Sequence, residues 1–72
     1  MTDRELAVYE FIICWKLTHD GDMPTYRQIL QSFDPPLSLS MVFYYLHKLR
    51  RNKLLVRIDG VWCTTQGAWS IP

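Results

Sequence analysis

The chain is poor in the residues that mark stapled or metal-built domains. Its two cysteines, Cys14 and Cys63, lie far apart and in no paired motif. No disulfide framework follows from them, and with His19 and His47 they make no zinc-ligand spacing. Both read as small buried hydrophobes of a reducing compartment. The three glycines, Gly21, Gly60 and Gly67, are too scattered to form a phosphate-cradling loop. No apolar run approaches the roughly 18 residues of a membrane span. The charged opening Asp3-Arg4-Glu5 does not resemble a secretory leader, so a cytoplasmic protein is expected. No nucleophile triad can be assembled from the scattered serines and the two histidines. The carboxylates of the first half cluster near helix starts, where capping explains them. Neither an enzyme, a cofactor, a metal site nor a small-molecule ligand is expected.

Acid is also scarce in one half. Residues 35–72 contain Asp59 alone against Lys48, Arg50, Arg51, Lys53 and Arg57. Residues 1–34 reverse the balance, with Asp3, Glu5, Glu10, Asp20, Asp22 and Asp34 against Arg4, Lys16 and Arg27. The net charge of +1 therefore hides a local positive end. A strongly basic, non-specific coat for nucleic acid is excluded, but a local groove or phosphate contact is not.

What is present is apolar: 49% hydrophobic and 14% aromatic residues in a chain of 72. That length allows one small domain with a marginal core, 1–72, which an oligomer would help. The organising stretch is Ser38 to Leu55. On a helical wheel at about 100° per residue, Leu39, Val42, Tyr45, Leu46 and Leu49 share one side. Ser40, Tyr44, His47, Lys48 and Arg51 share the other. One face needs a core and the other is polar, becoming basic toward its end. That suits a groove reader of nucleic acid, and equally an ordinary solvated face.

Around it the punctuation is clear. Thr2-Asp3-Arg4-Glu5 is a capping box that opens a helix over about 2–18, stopped by Asp20-Gly21-Asp22 with Gly21 left-handed. This helix is apolar nearly all round. Leu6, Tyr9, Ile13 and Leu17 make one stripe; Val8, Phe11, Ile12 and Trp15 make another. Two stripes need two partners: core on both sides, or core on one and a second subunit on the other. The expected interface is a homodimer through Val8, Phe11 and Trp15, aromatics being typical of interface centres. The alternative covers both stripes with the hairpin and a tail carrying Trp69. Thr25-Tyr26-Arg27-Gln28 is a second capping box, opening a helix over about 25–33 that Asp34-Pro35-Pro36 ends. Ser38 or Ser40 caps the third helix, about 38–53. A hairpin follows over about 55–65, turning at Asp59-Gly60, a signal for a type I′ turn. The expected core joins Leu6, Ile13, Ile29, Val42, Leu46, Leu49 and Leu55.

The order is thus mainly α with a small β-hairpin: a three-helix bundle whose second and third helices form a helix-turn-helix, followed by a two-stranded wing. Three runs carry a family resemblance. They are Thr2-Asp3-Arg4-Glu5 with Val8-Tyr9 and Ile12, then Gly21-Asp22-Met23-Pro24-Thr25-Tyr26-Arg27-Gln28-Ile29, then Leu46-His47-Lys48-Leu49-Arg50-Arg51-Asn52-Lys53-Leu54-Leu55. Over roughly residues 2–62 they resemble the N-terminal DNA-binding domain of LexA-type repressors, a winged helix-turn-helix. The ending Val61-Trp62-Cys63-Thr64-Thr65-Gln66-Gly67 is similar to the last strand of many other winged-helix regulators.

The resemblance implies sequence-specific binding of double-stranded DNA by a small transcription regulator of prokaryotes, phages or mobile elements. Its third helix would enter the major groove, with Ser40, Met41, Tyr44, His47 and Lys48 facing bases. Thr25, Tyr26, Arg27, Arg50, Arg51 and Arg57 would contact phosphates. His47 reads as a surface contact or a partly buried histidine rather than a titrating switch. The sequence departs from the family in four places. Lys53 stands where the family has glycine, and the turn before the third helix is longer and holds Pro35-Pro36. Phe43 and Tyr44 replace small polar residues. The wing tip, Asp59-Gly60, is not basic, which counts against a phosphate contact there. No protease domain is covered by the resemblance, so cleavage-controlled repression is not implied. The competing reading is a winged-helix module that binds protein and not DNA, favoured by the low net charge, the acidic tip, the aromatics Phe43 and Tyr44, expected to be exposed, and the second apolar stripe of the first helix.

Overall fold

The computed structural model describes residues 2–65. It has three helices, α1 (Asp3–Thr18), α2 (Tyr26–Gln31) and α3 (Leu39–Arg51), then an antiparallel hairpin of β1 (Leu55–Ile58) and β2 (Val61–Thr64). Each helix begins where a side chain caps it. Thr2 Oγ1 accepts from the Glu5 amide at 3.2 Å, and the Glu5 carboxylate accepts from the Thr2 amide at 3.4 Å. Thr25 and Gln28 repeat the exchange at 3.2 and 2.8 Å. Ser38, rather than Ser40, caps α3, taking the Met41 amide at 3.2 Å. All three caps hold extended backbone, which is why the helices start one residue later than the capping residue.

α2 is shorter than the pattern predicts. It ends at Gln31, and the Ser32 amide and hydroxyl both turn back onto the Ile29 carbonyl. Phe33 lies beyond the helix but still packs on the core. The loop to α3 returns through Leu37, whose amide donates to the Leu30 carbonyl and whose side chain is buried.

The ends of α1 and α3 share one device. The Lys53 amide bonds the Arg50 carbonyl and the Leu54 amide bonds the Leu49 carbonyl, closing a Schellman turn. Lys53 is the left-handed residue in it, at φ 63°. In α1 the corresponding residue is Asp20, at φ 53°, and the Gly21 amide reaches back to Lys16. The left-handed duty expected of Gly21 is therefore shared with the aspartate. A lysine at such a position is strained by its Cβ. Lys53 is exposed, so removing its side chain sacrifices no packing. Lys53→Gly is expected to raise the unfolding free energy by about 0.5–1 kcal/mol, read as a higher urea midpoint at unchanged slope.

The core is one cluster in which α3 packs on α1, α2 and β1. Val8, Ile12, Ile29, Val42, Leu46, Leu49 and Leu55 are fully buried in it, with Tyr45 and Trp62 nearly so. Ile13 is fully buried as well. Three sequence expectations change here. Leu6 is 42% exposed and not a core residue. Leu39, placed on the apolar stripe of α3, is the first residue of the helix and is 47% exposed. Cys14 is exposed and Cys63 half-buried, so neither is a core hydrophobe.

The largest change concerns α1. Its buried positions are Glu5, Val8, Ile12, Ile13 and Lys16. On the wheel these fill one wide arc. Leu6 and Leu17 lie along one rim of it, and Phe11 and Trp15 along the other. The two stripes are flanks of a single buried face. Val8, expected at a subunit interface, lies wholly inside one chain. Trp15 is half-buried and has one ring face covered by His19, stacked at 3.7 Å. Lys16 is buried because its ammonium donates to Thr64 Oγ1 at 2.9 Å, fastening α1 to β2. Burial also pushes the Tyr9 phenol above its ordinary pKa, so it stays neutral at physiological pH.

The turn between the strands uses positive φ at both Asp59 (52°) and Gly60 (77°), the conformation expected of a type I′ turn. The register pairs Ile58 with Val61 beside it and Arg57 with Trp62 one step further. The expected packing of Trp69 on the body lies outside the described residues.

Candidate nucleic-acid interface

The outward face of α3 is built by exclusion. Val42, Tyr45, Leu46 and Leu49 commit one side to the core, so helical spacing turns Ser40, Met41, Tyr44, His47, Lys48 and Arg51 the other way. Of these, Lys48 is half-buried and the rest are exposed. Tyr44, His47, Lys48, Arg50 and Arg51 line one shallow depression. Four of those five carry or can carry positive charge. Lys48, Arg50 and Arg51 also stand in the last turn, where cations complement the helix dipole. Ser40 and Met41 lie outside the depression, at the start of the helix. The Ser40 hydroxyl is 3.3 Å from that of Ser38.

Tyr44 is 51% exposed, but its ring is held. The edge contact with Tyr45 puts the centroids 5.4 Å apart at 68°, and the Lys48 ammonium lies 5.6 Å from the Tyr44 centroid. The cation and the ring therefore form one unit.

A second set of contacts ties the hairpin to α2 and α3 through Trp62. Its indole N–H donates to the Tyr26 hydroxyl at 3.1 Å. His47 meets the indole edge-on at 5.3 Å, and the Arg57 guanidinium lies 5.2 Å over it. Tyr26 in turn meets Phe43 edge-on at 4.8 Å. Tyr26, expected on a phosphate, thus acts first as a strut of the fold, though its own O–H remains a donor. Thr25 is likewise occupied as a cap. Arg27, Arg50, Arg51 and Arg57 are exposed, and Arg57 is steered by the indole. Trp62 is the residue that sequence reasoning missed. The only signal was its place opposite Arg57 in a hairpin whose alternate positions face inward.

Lys48 and Arg51 also line a hollow with Thr2, Glu5 and Asn52, so the start of α1 abuts the basic end of α3. Among the described residues no group of three or more His, Cys, Asp or Glu side chains is placed to hold a metal ion. No described helix is long and apolar enough to cross a membrane. No family model, no curated protein and no solved structure matches the chain.

Proposed function

We propose that the chain is a winged helix-turn-helix protein, similar in kind to LexA-type repressor domains, that binds double-stranded DNA in a sequence-specific way and regulates transcription. α2 and α3 form the helix-turn-helix, α3 enters the major groove, and the hairpin is the wing. The observation that carries this reading is the division of α3. Its inner side is spent on the core, while the outer side gathers His47, Lys48, Arg50 and Arg51 around an exposed tyrosine. Such a helix fits a groove about 12 Å wide, with the cations of its last turn available to the phosphates. The reading gives Ser40, Met41, Tyr44, His47 and Lys48 to bases, and Arg27, Arg50, Arg51 and Arg57 to phosphates, with Thr25 and Tyr26 offering single hydroxyl donors. It needs no catalytic group.

Titrating binding to random duplex against salt tests it. A slope of about −3 to −4 in log K against log salt is expected for four phosphate contacts. A flat line with no measurable affinity at low salt rejects DNA binding.

A protein-binding module is the second reading. It is favoured by the exposed pair Ile58 and Val61 beside the acidic turn, and by an apolar hollow running from Pro24 and Tyr26 to Val61. Under that reading the salt slope is absent.

Dimerisation through α1 remains part of the proposal, with the half-buried Phe11 and Trp15 as its contacts. Sedimentation as a monomer at high micromolar concentration would overturn it.

A further inference from the structure

We infer that Met41 and Tyr44 read the 5-methyl groups of pyrimidines in the major groove, so that the preferred DNA carries thymine, or 5-methylcytosine, at neighbouring base steps under the first half of α3. This rests on the DNA-binding reading and adds to it the chemistry of the site recognised.

The outward face of α3 is not uniform. Its C-terminal half is cationic, through Lys48, Arg50 and Arg51. Its N-terminal half presents Met41 and Tyr44, two large side chains exposed to solvent at 36% and 51%. Neither has a core role, since Val42, Tyr45, Leu46 and Leu49 fill that side. An exposed aromatic ring is entropically expensive to position, yet this one is already oriented by Tyr45 on one side and Lys48 on the other. Orientation before binding suits a contact surface.

The major groove offers one apolar group for such a surface, the C5-methyl of thymine or of methylated cytosine. The spacing also agrees. Residues three apart on a helix are separated by about 4.5 Å along its axis, and base pairs stack at about 3.4 Å. Met41 and Tyr44 therefore cover adjacent steps on one side of the groove. The Lys48 ammonium, 5.6 Å from the Tyr44 centroid, would hold the ring in place against the methyl.

The test replaces thymine with deoxyuridine, which deletes the methyl and leaves the hydrogen-bonding edge unchanged. Bound duplexes are first selected from a random pool. The best of them is then remade with uracil at each thymine of the contacted segment. Wild-type protein is expected to bind about fourfold more weakly for each methyl removed under Met41 or Tyr44, a loss set by the transfer of one buried methyl. 5-Methylcytosine in place of cytosine at the same position should strengthen binding by a similar factor. Tyr44→Ala and Met41→Ala should each bind thymine and uracil duplexes alike at its own step, while Tyr44→Phe keeps the preference. Both positions are exposed, so the variants should fold, which circular dichroism checks. Three results overturn the inference and leave DNA binding standing. They are a selected site without thymine under this segment, equal wild-type affinity for thymine and uracil duplexes, and unchanged discrimination in both alanine variants. Absence of any duplex binding by the wild type overturns the inference and the underlying reading together.

Discussion

Leu46→Ala is expected to lower the unfolding free energy by about 2–5 kcal/mol. Leu46 is fully buried on α3, in the cluster that joins α1, α2 and β1. Truncation removes the transfer energy of the lost atoms and leaves a cavity that neighbours on three sides cannot all relax into. A chain of this size has roughly 4–11 kcal/mol of stability in total, so the substitution takes a large share of it. Urea unfolding followed by circular dichroism measures the effect. Leu39→Ala is the internal control. Both leucines belong to the same stripe of the helical wheel, but Leu39 is nearly half exposed, and its loss should cost under about 1 kcal/mol. Equal costs at the two positions would contradict the orientation of α3.

Arg51→Glu is expected to weaken binding to every duplex alike, by about ten- to thirtyfold at low salt. A charge pair at about 4 Å in a water-like medium is worth about 1 kcal/mol, and the reversal replaces an attraction with a repulsion. The salt slope should fall by about one unit. The variant should still fold, because Arg51 is exposed on the side of α3 away from the core, with a cost of about 0.3–1 kcal/mol for an anion in the last helical turn. The expected pattern is the reverse of that for Tyr44→Ala, which alters the preferred sequence. If Arg51→Glu folds normally and binds DNA as well as the wild type, this face is not the nucleic-acid surface. DNA must then be held by another face of the domain.

Much of the local architecture can be read without coordinates because its causes lie within about four residues. Thr2 with Glu5, Thr25 with Gln28, and Ser38 each satisfy amides of their own first turn. Asp59 and Gly60 adopt positive φ because a tight two-residue turn requires it. The inner face of α3 from Val42 to Leu49 follows from helical spacing, since its apolar and polar positions separate cleanly. The cationic depression follows from the same spacing, once that inner face is known.

Tertiary structure decided what the pattern left degenerate. α1 is apolar on nearly every side, so periodicity could not choose its inner face. Packing against α3 and α2 chose Val8, Ile12 and Ile13 and left Leu6 at the rim, while Thr64 of β2 drew Lys16 inward. Trp62 became the link between hairpin, α2 and α3 because Tyr26, His47 and Arg57 converge on it from three elements. The physical reason is one of range. Capping and turn formation depend on neighbours along the chain, which the sequence by itself determines. Burial depends on which surfaces meet across the chain, and that is settled only when all the elements have packed.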